Sequence, residues 1–277
     1  MDIRKLLHEF DIQPKKSLGQ NFLVDQRALE RIVEAAELGP EDIVLEIGPG
    51  LGTLTRLLAA RAGRVVAVEL DSRLVEALKK ILADLSNVEV IHGDILELDP
   101  AALLTRAAGF QYKVVANLPY YITSAILRHL LTAAVKPKLM VVTVQLEVAR
   151  RIVAEPGDMS LLAVSIQFYG RPRIVARIKA GAFYPSPQVD SAVVRIDLHE
   201  QPVVEVDDVD SFFEVVRAGF AQRRKQLRNA LAAELGLPTN QVAQALSRAG
   251  INPKRRAQTL SIEEWARVWK EIQFVRG

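Results

Sequence analysis

The sequence of 277 residues contains no cysteine, only four histidines and no run of about 18 apolar residues. Without cysteine the chain forms neither disulfides nor cysteine-ligated metal sites, and it has no thiolate nucleophile. The histidines stand at positions 8, 92, 129 and 199, without the spacing of metal ligands, so we predict no metal site. The first residues, MDIRKLLHEFDIQPKKS, carry too much charge for the apolar segment of a signal peptide. These absences predict a globular protein of the cytoplasm with no membrane partner.

The net charge is also small, at +3, so the total charge does not predict a nucleic-acid partner. The distribution of charge is more informative. Residues 217–228 and residues 248–256 each carry several lysines and arginines and no acid, and Lys15 and Lys16 form a third basic spot. A single cluster of this kind is commonly a solvated helix face, but three of them favour a polyanionic partner.

Short apolar runs alternate with amphipathic stretches between residues 43 and 145. This alternation predicts an α/β fold with a mostly parallel sheet and helices on both faces. Ligands of such sheets lie beyond the carboxyl ends of the strands. Two later runs, RIVARIK and SAVVRIDL, alternate apolar with polar residues, which is typical of antiparallel edge strands.

The strand patterns stop near residue 200, and helical patterns follow. Helices are predicted over residues 211–221, 224–235, 240–250 and 261–275, the last opening with a Ser261-x-x-Glu264 capping box. We therefore predict two domains, residues 1–200 and residues 201–277, with the segment HEQPVVEVDDVD as the linker.

Acidic residues and glycines follow the first three strands of the predicted sheet. The stretch EIGPGLGT, residues 46–53, allows a tight turn and the close approach of a ligand, but Thr53 replaces the last glycine of a dinucleotide-binding fingerprint. Glu69 can accept both hydroxyls of a ribose, and Asp94 can accept the exocyclic amine of an adenine. Each acid alone is more often a cap or turn residue. Together they describe an adenosine site that resembles the S-adenosylmethionine site of class I methyltransferases.

The fourth strand ends in ANLPYY, residues 116–121. A plain turn is the simple interpretation of these residues. In the predicted sheet, however, this loop lies where the methyl-bearing sulfonium would point. The carbonyl oxygen of Asn117, with a backbone carbonyl of Leu118 or Pro119, can accept both N–H bonds of an adenine amine and hold its lone pair towards the methyl group. Pro119 keeps the loop rigid, and Tyr120 can stack on the base.

The same stretch resembles the Asn/Asp-Pro-Pro-Tyr/Phe element of amino-methyltransferases, in the Asn-Leu-Pro-Tyr form of ribosomal RNA adenine N6,N6-dimethyltransferases. Three further stretches resemble that family in order, over nearly the whole chain: KKSLGQNFLVD (15–25), FYPSPQVDSAVV (183–194) and QRRKQLRNAL (222–231). The resemblance implies a class I S-adenosylmethionine-dependent methyltransferase fold, Rossmann-like, with a small C-terminal all-helical domain.

The resemblance also implies roles for individual residues. Residues 1–200 would form the catalytic domain, and residues 201–277 would bind RNA. The implied cofactor-binding residues are Asn21, Leu23, Gly48, Glu69, Asp94 and Asn117. The catalytic set is Asn117, Leu118, Pro119, Tyr120 and Phe183, the last an aromatic that would close the other face of the target adenine. We predict that rRNA phosphates are held by Arg223, Arg224, Lys225 and Arg228. Arg224 and Arg228 are four residues apart, so we expect them on one exposed helix face.

The implied activity is transfer of methyl groups from S-adenosylmethionine to N6 of two adjacent adenosines in a hairpin loop near the 3′ end of 16S rRNA, giving N6,N6-dimethyladenosines during ribosome biogenesis. The expected partner is the small ribosomal subunit or its precursor, and the expected state is a monomer. An antibiotic-resistance methyltransferase of the large subunit is disfavoured by the long helical domain with QRRKQLRNAL. An RNA-binding assembly factor without catalysis is disfavoured by the intact ANLPYY. A nucleotide-dependent dehydrogenase is disfavoured by Thr53.

Overall fold

The computed structural model describes residues 2–104 and 111–276. Its strands are β1 (Phe22–Leu23), β2 (Ile43–Ile47), β3 (Arg64–Glu69), β4 (Val88–His92), β5 (Tyr112–Asn117), β6 (Leu139–Gln145), β7 (Gly170–Ile178), β8 (Phe183–Tyr184) and β9 (Ser191–Leu198). Its helices are α1 (Ile3–Glu9), α2 (Gln26–Ala36), α3 (Thr53–Ala59), α4 (Ser72–Ile81), α5 (Pro100–Leu104), α6 (Thr123–Thr132), α7 (Leu146–Ile152), α8 (Leu161–Tyr169), α9 (Val209–Ala221), α10 (Leu227–Leu235), α11 (Thr239–Arg248) and α12 (Ile262–Arg276).

The main sheet has the strand order β4-β3-β2-β5-β6-β9-β7. The pairs β2–β3, β3–β4, β2–β5 and β5–β6 are parallel, and β9 runs antiparallel to β6. The predicted α/β fold with a mostly parallel sheet is therefore confirmed. The chain proceeds outward in one direction from β2 to β4 and then in the other from β5, so the order reverses between β2 and β5. Ligands of such sheets bind outside this reversal point.

The central strands are apolar runs because both of their faces are covered. In β5, residues 112–116 are all buried, and this run includes a lysine. The ammonium of Lys113 donates to the carbonyls of Ala36 and Glu37 at the end of α2, at 3.0 and 2.6 Å, and contacts Asp42 Oδ2 at 2.8 Å. A cation placed at the carboxyl end of a helix satisfies carbonyls that lack partners within the helix, which makes this buried charge tolerable.

The prediction that SAVVRIDL is an edge strand was wrong, although its antiparallel pairing is confirmed. This run is β9, which lies between β6 and β7, and its first six residues are buried. The polar residue that produced the alternating pattern is Arg195, which is only 9% exposed. Its guanidinium pairs with Glu37 at 2.6 Å and with Asp197 at 2.7 Å. The two carboxylate partners allow Arg195 to be buried. Its polar side chain in the alternating pattern therefore did not indicate a solvent-facing position.

The chain divides into two compact units. The first contains the residues up to Arg150 together with Arg171–Glu200, and the second contains Arg151–Gly170 together with the residues from Gln201 onwards. Helix α8 thus packs within the second unit, with α9 and α12. The functional division into residues 1–200 and residues 201–277 stays a prediction. Across the described ranges, we find no helix with the length and apolar character that a membrane crossing requires.

The capping box at the start of α12 is confirmed by two reciprocal hydrogen bonds. The backbone N–H of Ser261 donates to Glu264 Oε2 at 2.9 Å, and the backbone N–H of Glu264 donates to Ser261 Oγ at 3.2 Å. Each bond satisfies a backbone donor that has no partner within the helix. The local pattern alone was sufficient to place this helix start.

Helix α10 begins later than predicted. The pattern placed its start at residue 224, but Gln226 is extended and the helix starts at Leu227. The backbone N–H groups of Leu227 and Arg228 donate to the carbonyls of Arg255 and Pro253, at 2.7 and 3.4 Å. These long-range bonds satisfy the first donors of the helix and fix its start. Arg224 therefore lies in the preceding turn, and the prediction of one helix face shared with Arg228 was wrong.

Candidate active site

A cleft of about 970 Å³, partly open to solvent, lies beyond the carboxyl ends of β2, β3, β4 and β5. Its lining combines apolar side chains with a few polar groups, as small-molecule sites do. Residues 18–23 close one side of the cleft, and the loop after β5 closes another. The structure brings most of the predicted cofactor and catalytic residues into this one lining, namely Asn21, Leu23, Gly48, Glu69, Asp94, Asn117, Leu118, Pro119 and Tyr120.

The glycine loop after β2 has a backbone that requires glycine. Gly48 and Gly50 have φ angles of 67° and 62°, in the left-handed region that other residues rarely adopt. A Cβ on Gly50 would lie 2.8 Å from the ring of Phe22, closer than a real contact permits. Glycine is therefore needed here for two reasons. The backbone turns tightly beside the cleft, and the ring of Phe22 packs directly against Gly50.

Glu69 ends β3 with its carboxylate fixed by the backbone. Its Oε2 accepts from the N–H of Gly50 at 3.2 Å, and its Oε1 accepts from the N–H of Asp71 at 3.0 Å. The side chain is buried, and this burial raises its pKa despite the hydrogen bonds that act in the opposite direction. Because a carboxylate can accept about four hydrogen bonds, Glu69 retains capacity for the hydroxyls of a ligand.

Asp94 follows β4 and lines the same cleft. Its Oδ1 accepts from the N–H of Leu96 at 2.9 Å, which forms a local turn. The turn interpretation and the ligand interpretation of this residue are thus compatible, since the turn orients a carboxylate that is half-buried in the lining.

Asn117 is the last residue of β5, and its amide is held in one orientation. Its Nδ2 donates to the backbone carbonyl of Asn21 at 3.1 Å. Its Oδ1 is buried and makes no hydrogen bond to any residue that the structure describes. A buried acceptor without a partner costs about 1–3 kcal/mol, so this atom in the lining of the cleft is available to a donor group of a ligand.

Hydrogen bonds hold the backbone of the loop after Asn117. The N–H of Leu118 donates to the carbonyl of Thr143 at 3.1 Å. The carbonyl of Pro119 already accepts from Ile122 N at 3.3 Å and from Thr123 Oγ1 at 3.0 Å. Of the two backbone carbonyls that we considered from the sequence, that of Leu118 is therefore the better candidate. Tyr120 is half-buried, and its hydroxyl bonds to Ser191 Oγ at 2.6 Å, which fixes its ring.

Phe183 is the one predicted catalytic residue that the structure places apart from this lining. Its side chain is only 3% exposed, and β8 pairs with β1 so that Phe183 lies opposite Leu23. It packs in the core cluster with residues of α2 and α3, such as Leu29 and Leu58. This burial is compatible with a packing role for Phe183. Its role in stacking on the target adenine stays a prediction.

The sequence reasoning did not assign a role to Glu46, which lines the cleft from within β2. Its side chain is 1% exposed, and among the described residues its Oε2 has no hydrogen-bond partner. Burial raises the pKa of this carboxyl from 4.5 to about 8. The available signal was an acid within the otherwise apolar run IVLEI. Tyr121 was also unassigned, and it stands on the rim of the cleft with its side chain 53% exposed.

The predicted RNA-binding residues lie in the second unit. Arg223, Arg224 and Lys225 are exposed in the turn between α9 and α10, whereas Arg228 is half-buried. The bonds from the start of α10 to the carbonyls of Pro253 and Arg255 place the acid-free segments 217–228 and 248–256 side by side. Two of the three basic clusters in the sequence therefore adjoin in space.

Comparison with known proteins identifies consistent relatives. Residues 12–273 match the family model described as ribosomal RNA adenine dimethylase. The chain is similar to a protein of Dehalococcoides mccartyi named ribosomal RNA small subunit methyltransferase A, with 50% identity over 95% of this chain and 89% of that protein. It is also similar to the protein of that name from Moorella thermoacetica, with 47% identity over 97% of this chain and 96% of that protein.

Solved structures agree with these relatives. The crystal structure of the 23S rRNA methyltransferase ErmE gives a TM-score of 0.72 at 32% identity, and the match covers 91% of this chain and 100% of that one. A dimethyladenosine transferase from Plasmodium falciparum gives a TM-score of 0.77 at 24% identity, covering 92% of this chain and 98% of that one. At that identity the second likeness supports the fold alone.

Proposed function

Because the chain belongs to the ribosomal RNA adenine dimethylase family, we propose that its cleft binds S-adenosylmethionine and that it methylates N6 of two adjacent adenosines near the 3′ end of 16S rRNA. The two adenosines would lie in a hairpin loop and would each receive two methyl groups. The chain is an S-adenosylmethionine-dependent rRNA adenine dimethyltransferase.

The lining of the cleft fits the cofactor. Glu69 would accept the ribose hydroxyls and Asp94 the exocyclic amine of the adenine ring, while Gly48 allows the cofactor to approach the backbone. Asn21 and Leu23 would contact the cofactor from the N-terminal side. When bound, S-adenosylmethionine supplies an electrophilic methyl group on its sulfonium. The protein's own contribution is to bind it, to orient the amine and to exclude water.

The observation that carries the mechanism is the unpartnered Oδ1 of Asn117. An adenine amine has two N–H bonds, and its lone pair is delocalised into the ring, so it is a poor nucleophile. In the first of the two transfers, Asn117 Oδ1 and the carbonyl of Leu118 would accept one N–H bond each and hold the lone pair towards the methyl group. The new N–C bond replaces the S–C bond of the sulfonium, and the amine loses one proton. Position and electrostatics then supply the rate enhancement, without a strong base. Tyr120 would support the base from one side.

The identity of the RNA rests on the relatives. The similar proteins named for the small subunit reach 47–50% identity, whereas the 23S rRNA methyltransferase reaches 32%. We infer that the substrate is the small ribosomal subunit or its assembly precursor. We also propose that the protein is a monomer and acts in the cytoplasm. The phosphates of the RNA would be held in the second unit by Arg223, Arg224, Lys225 and Arg228.

The test is a methylation assay with labelled S-adenosylmethionine and purified, unmodified small subunits, with large subunits as the matched control. We expect label in two adjacent adenosines of the 16S rRNA after nuclease mapping, and none in the large subunit. Label in 23S rRNA, or cofactor binding without transfer to either subunit, would contradict the proposal.

A further inference from the structure

The N-terminal segment 15–23, here called the strap, is held on two sides where it borders the cleft. On one side β1 pairs with β8, and the N–H of Val24 donates to the carbonyl of Ala182 at 2.9 Å. On the other side the amide of Gln20 reaches Asp71, at the start of α4. The strap therefore joins two parts of the first unit that are distant in the sequence.

The amide of Gln20 is bonded at both of its ends. Its Oε1 accepts from the N–H of Lys15 at 2.7 Å, and its Nε2 donates to Asp71 Oδ2 at 3.0 Å. Asp71 is 4% exposed, and the guanidinium of Arg73 contacts both of its oxygens, at 3.0 and 2.6 Å. The hydrogen bond to Arg73 lowers the pKa of Asp71 far below its ordinary value, so the acceptor of the Gln20 amide is a permanent carboxylate.

Two further bonds connect this contact to the candidate active site. The N–H of Asp71 donates to Glu69 Oε1, and the residue after Gln20 is Asn21, whose carbonyl accepts from the Asn117 amide at 3.1 Å. The position of the strap thus sets the position of the one described acceptor that orients Asn117. A displaced strap would allow the Asn117 amide to rotate and turn Nδ2, a donor, towards the amine.

We propose that Gln20 and Asp71 are positioning residues, and that the hydrogen bond between them, here called the clasp, holds the strap so that Asn21 presents the Oδ1 of Asn117 to the substrate amine. The proposal rests on the proposed function. The alternative is that Asp71 only caps α4, through the bond from Arg73 N to Oδ1 at 3.2 Å. The cap uses Oδ1 and the clasp uses Oδ2, so a change at Gln20 separates the two roles.

The decisive variant is Gln20→Glu. It keeps an acceptor for the N–H of Lys15, but it replaces the Nε2 donor of the clasp by an oxygen that faces the carboxylate of Asp71. The control is Gln26→Glu, because Gln26 also donates Nε2 to a carboxylate, that of Glu30, but on the exposed face of α2. Methyl transfer to small subunits is measured at saturating cofactor in the wild type and in the Asn117→Ala background. We expect Gln20→Glu to lower kcat roughly tenfold or more in the wild type, on the scale of a misplaced catalytic group.

In the Asn117→Ala background the same change should alter kcat less than about twofold, because no amide remains to be oriented. The proposal would be overturned if Gln20→Glu left kcat unchanged in the otherwise wild-type protein. It would also be overturned if the change lowered kcat by the same factor in both backgrounds. Should Gln20→Glu fold poorly, Gln20→Met removes the donor without adding charge and is judged by the same criterion. A wild type that transfers no methyl group would instead refute the proposed function and the clasp together.

Discussion

The buried carboxyl of Glu46 should make the stability of the free protein depend on pH. Its pKa of about 8 lies above its ordinary value of 4.5 because burial penalises the charged form. Between these two pH values the folded chain holds a proton that the unfolded chain has released. The stabilisation is fully present below pH 4.5 and is lost as the pH rises towards 8.

The size of this effect follows from one proton. While the folded chain retains the proton, stability falls by at most about 1.4 kcal/mol for each pH unit, and the whole window amounts to on the order of 3–5 kcal/mol. Glu46→Gln has the same shape but no titration. The free energy of unfolding of this variant should therefore exceed that of the wild type by a margin that widens steadily from pH 5 to pH 8.

The assay is urea unfolding of both proteins at pH 5, 6, 7 and 8, with Glu41→Gln as a control at an exposed glutamate. The control should follow the wild type, because its carboxyl lies in solvent in the folded chain as in the unfolded one. If the difference between Glu46→Gln and the wild type stays constant across the series, the buried carboxyl titrates as it does in the unfolded chain, and our account of Glu46 is refuted.

Three further predictions concern the cleft and the second unit. Glu69→Ala should raise the Kd for S-adenosylmethionine with little change in kcat at saturation, because ribose hydroxyls are bound alike before and during transfer; a fall in kcat at unchanged Kd would contradict this role. Gly50→Ala should cost about 1–2 kcal/mol from its positive φ alone, and more because its Cβ would meet the ring of Phe22, so its Tm should fall; an unchanged Tm would refute the packing. Replacing Arg223 and Arg224 by Gln should reduce the salt dependence of subunit binding by roughly 0.7–0.9 in log-log slope for each lost phosphate contact, at unchanged cofactor affinity; an unaltered slope would leave this turn as solvated surface.

Much of the fold and the cleft could be predicted because the signals are local. Apolar runs bounded by turn residues identified the strands, and their alternation with helices fixed the parallel sheet. Glu69 and Asn117 are the last residues of their strands, and Asp94 comes two residues after the end of β4. Since parallel strands end at one edge of the sheet, these residues had to meet there, and all three line the cleft.

The remaining features depend on contacts that no local pattern contains. The carboxylate partners of Arg195 lie just after α2 and within its own strand, so the sequence could not show that this arginine is buried. The start of α10 is set by carbonyls about 25 residues further on, and the clasp joins residues 51 positions apart. A polar residue in a sequence pattern predicts a solvent-facing position. In this chain, tertiary contacts supply buried partners for these polar residues.

The central claim, that the Oδ1 of Asn117 orients the adenine amine, is tested most directly by single-turnover methyl transfer at saturating S-adenosylmethionine. The wild type and Asn117→Ala would be compared on unmodified small subunits, with cofactor affinity measured separately. We predict a loss of on the order of 10² to 10³ in the transfer rate, the cost of one positioned catalytic hydrogen bond. Transfer by Asn117→Ala within a few-fold of the wild-type rate would contradict the account.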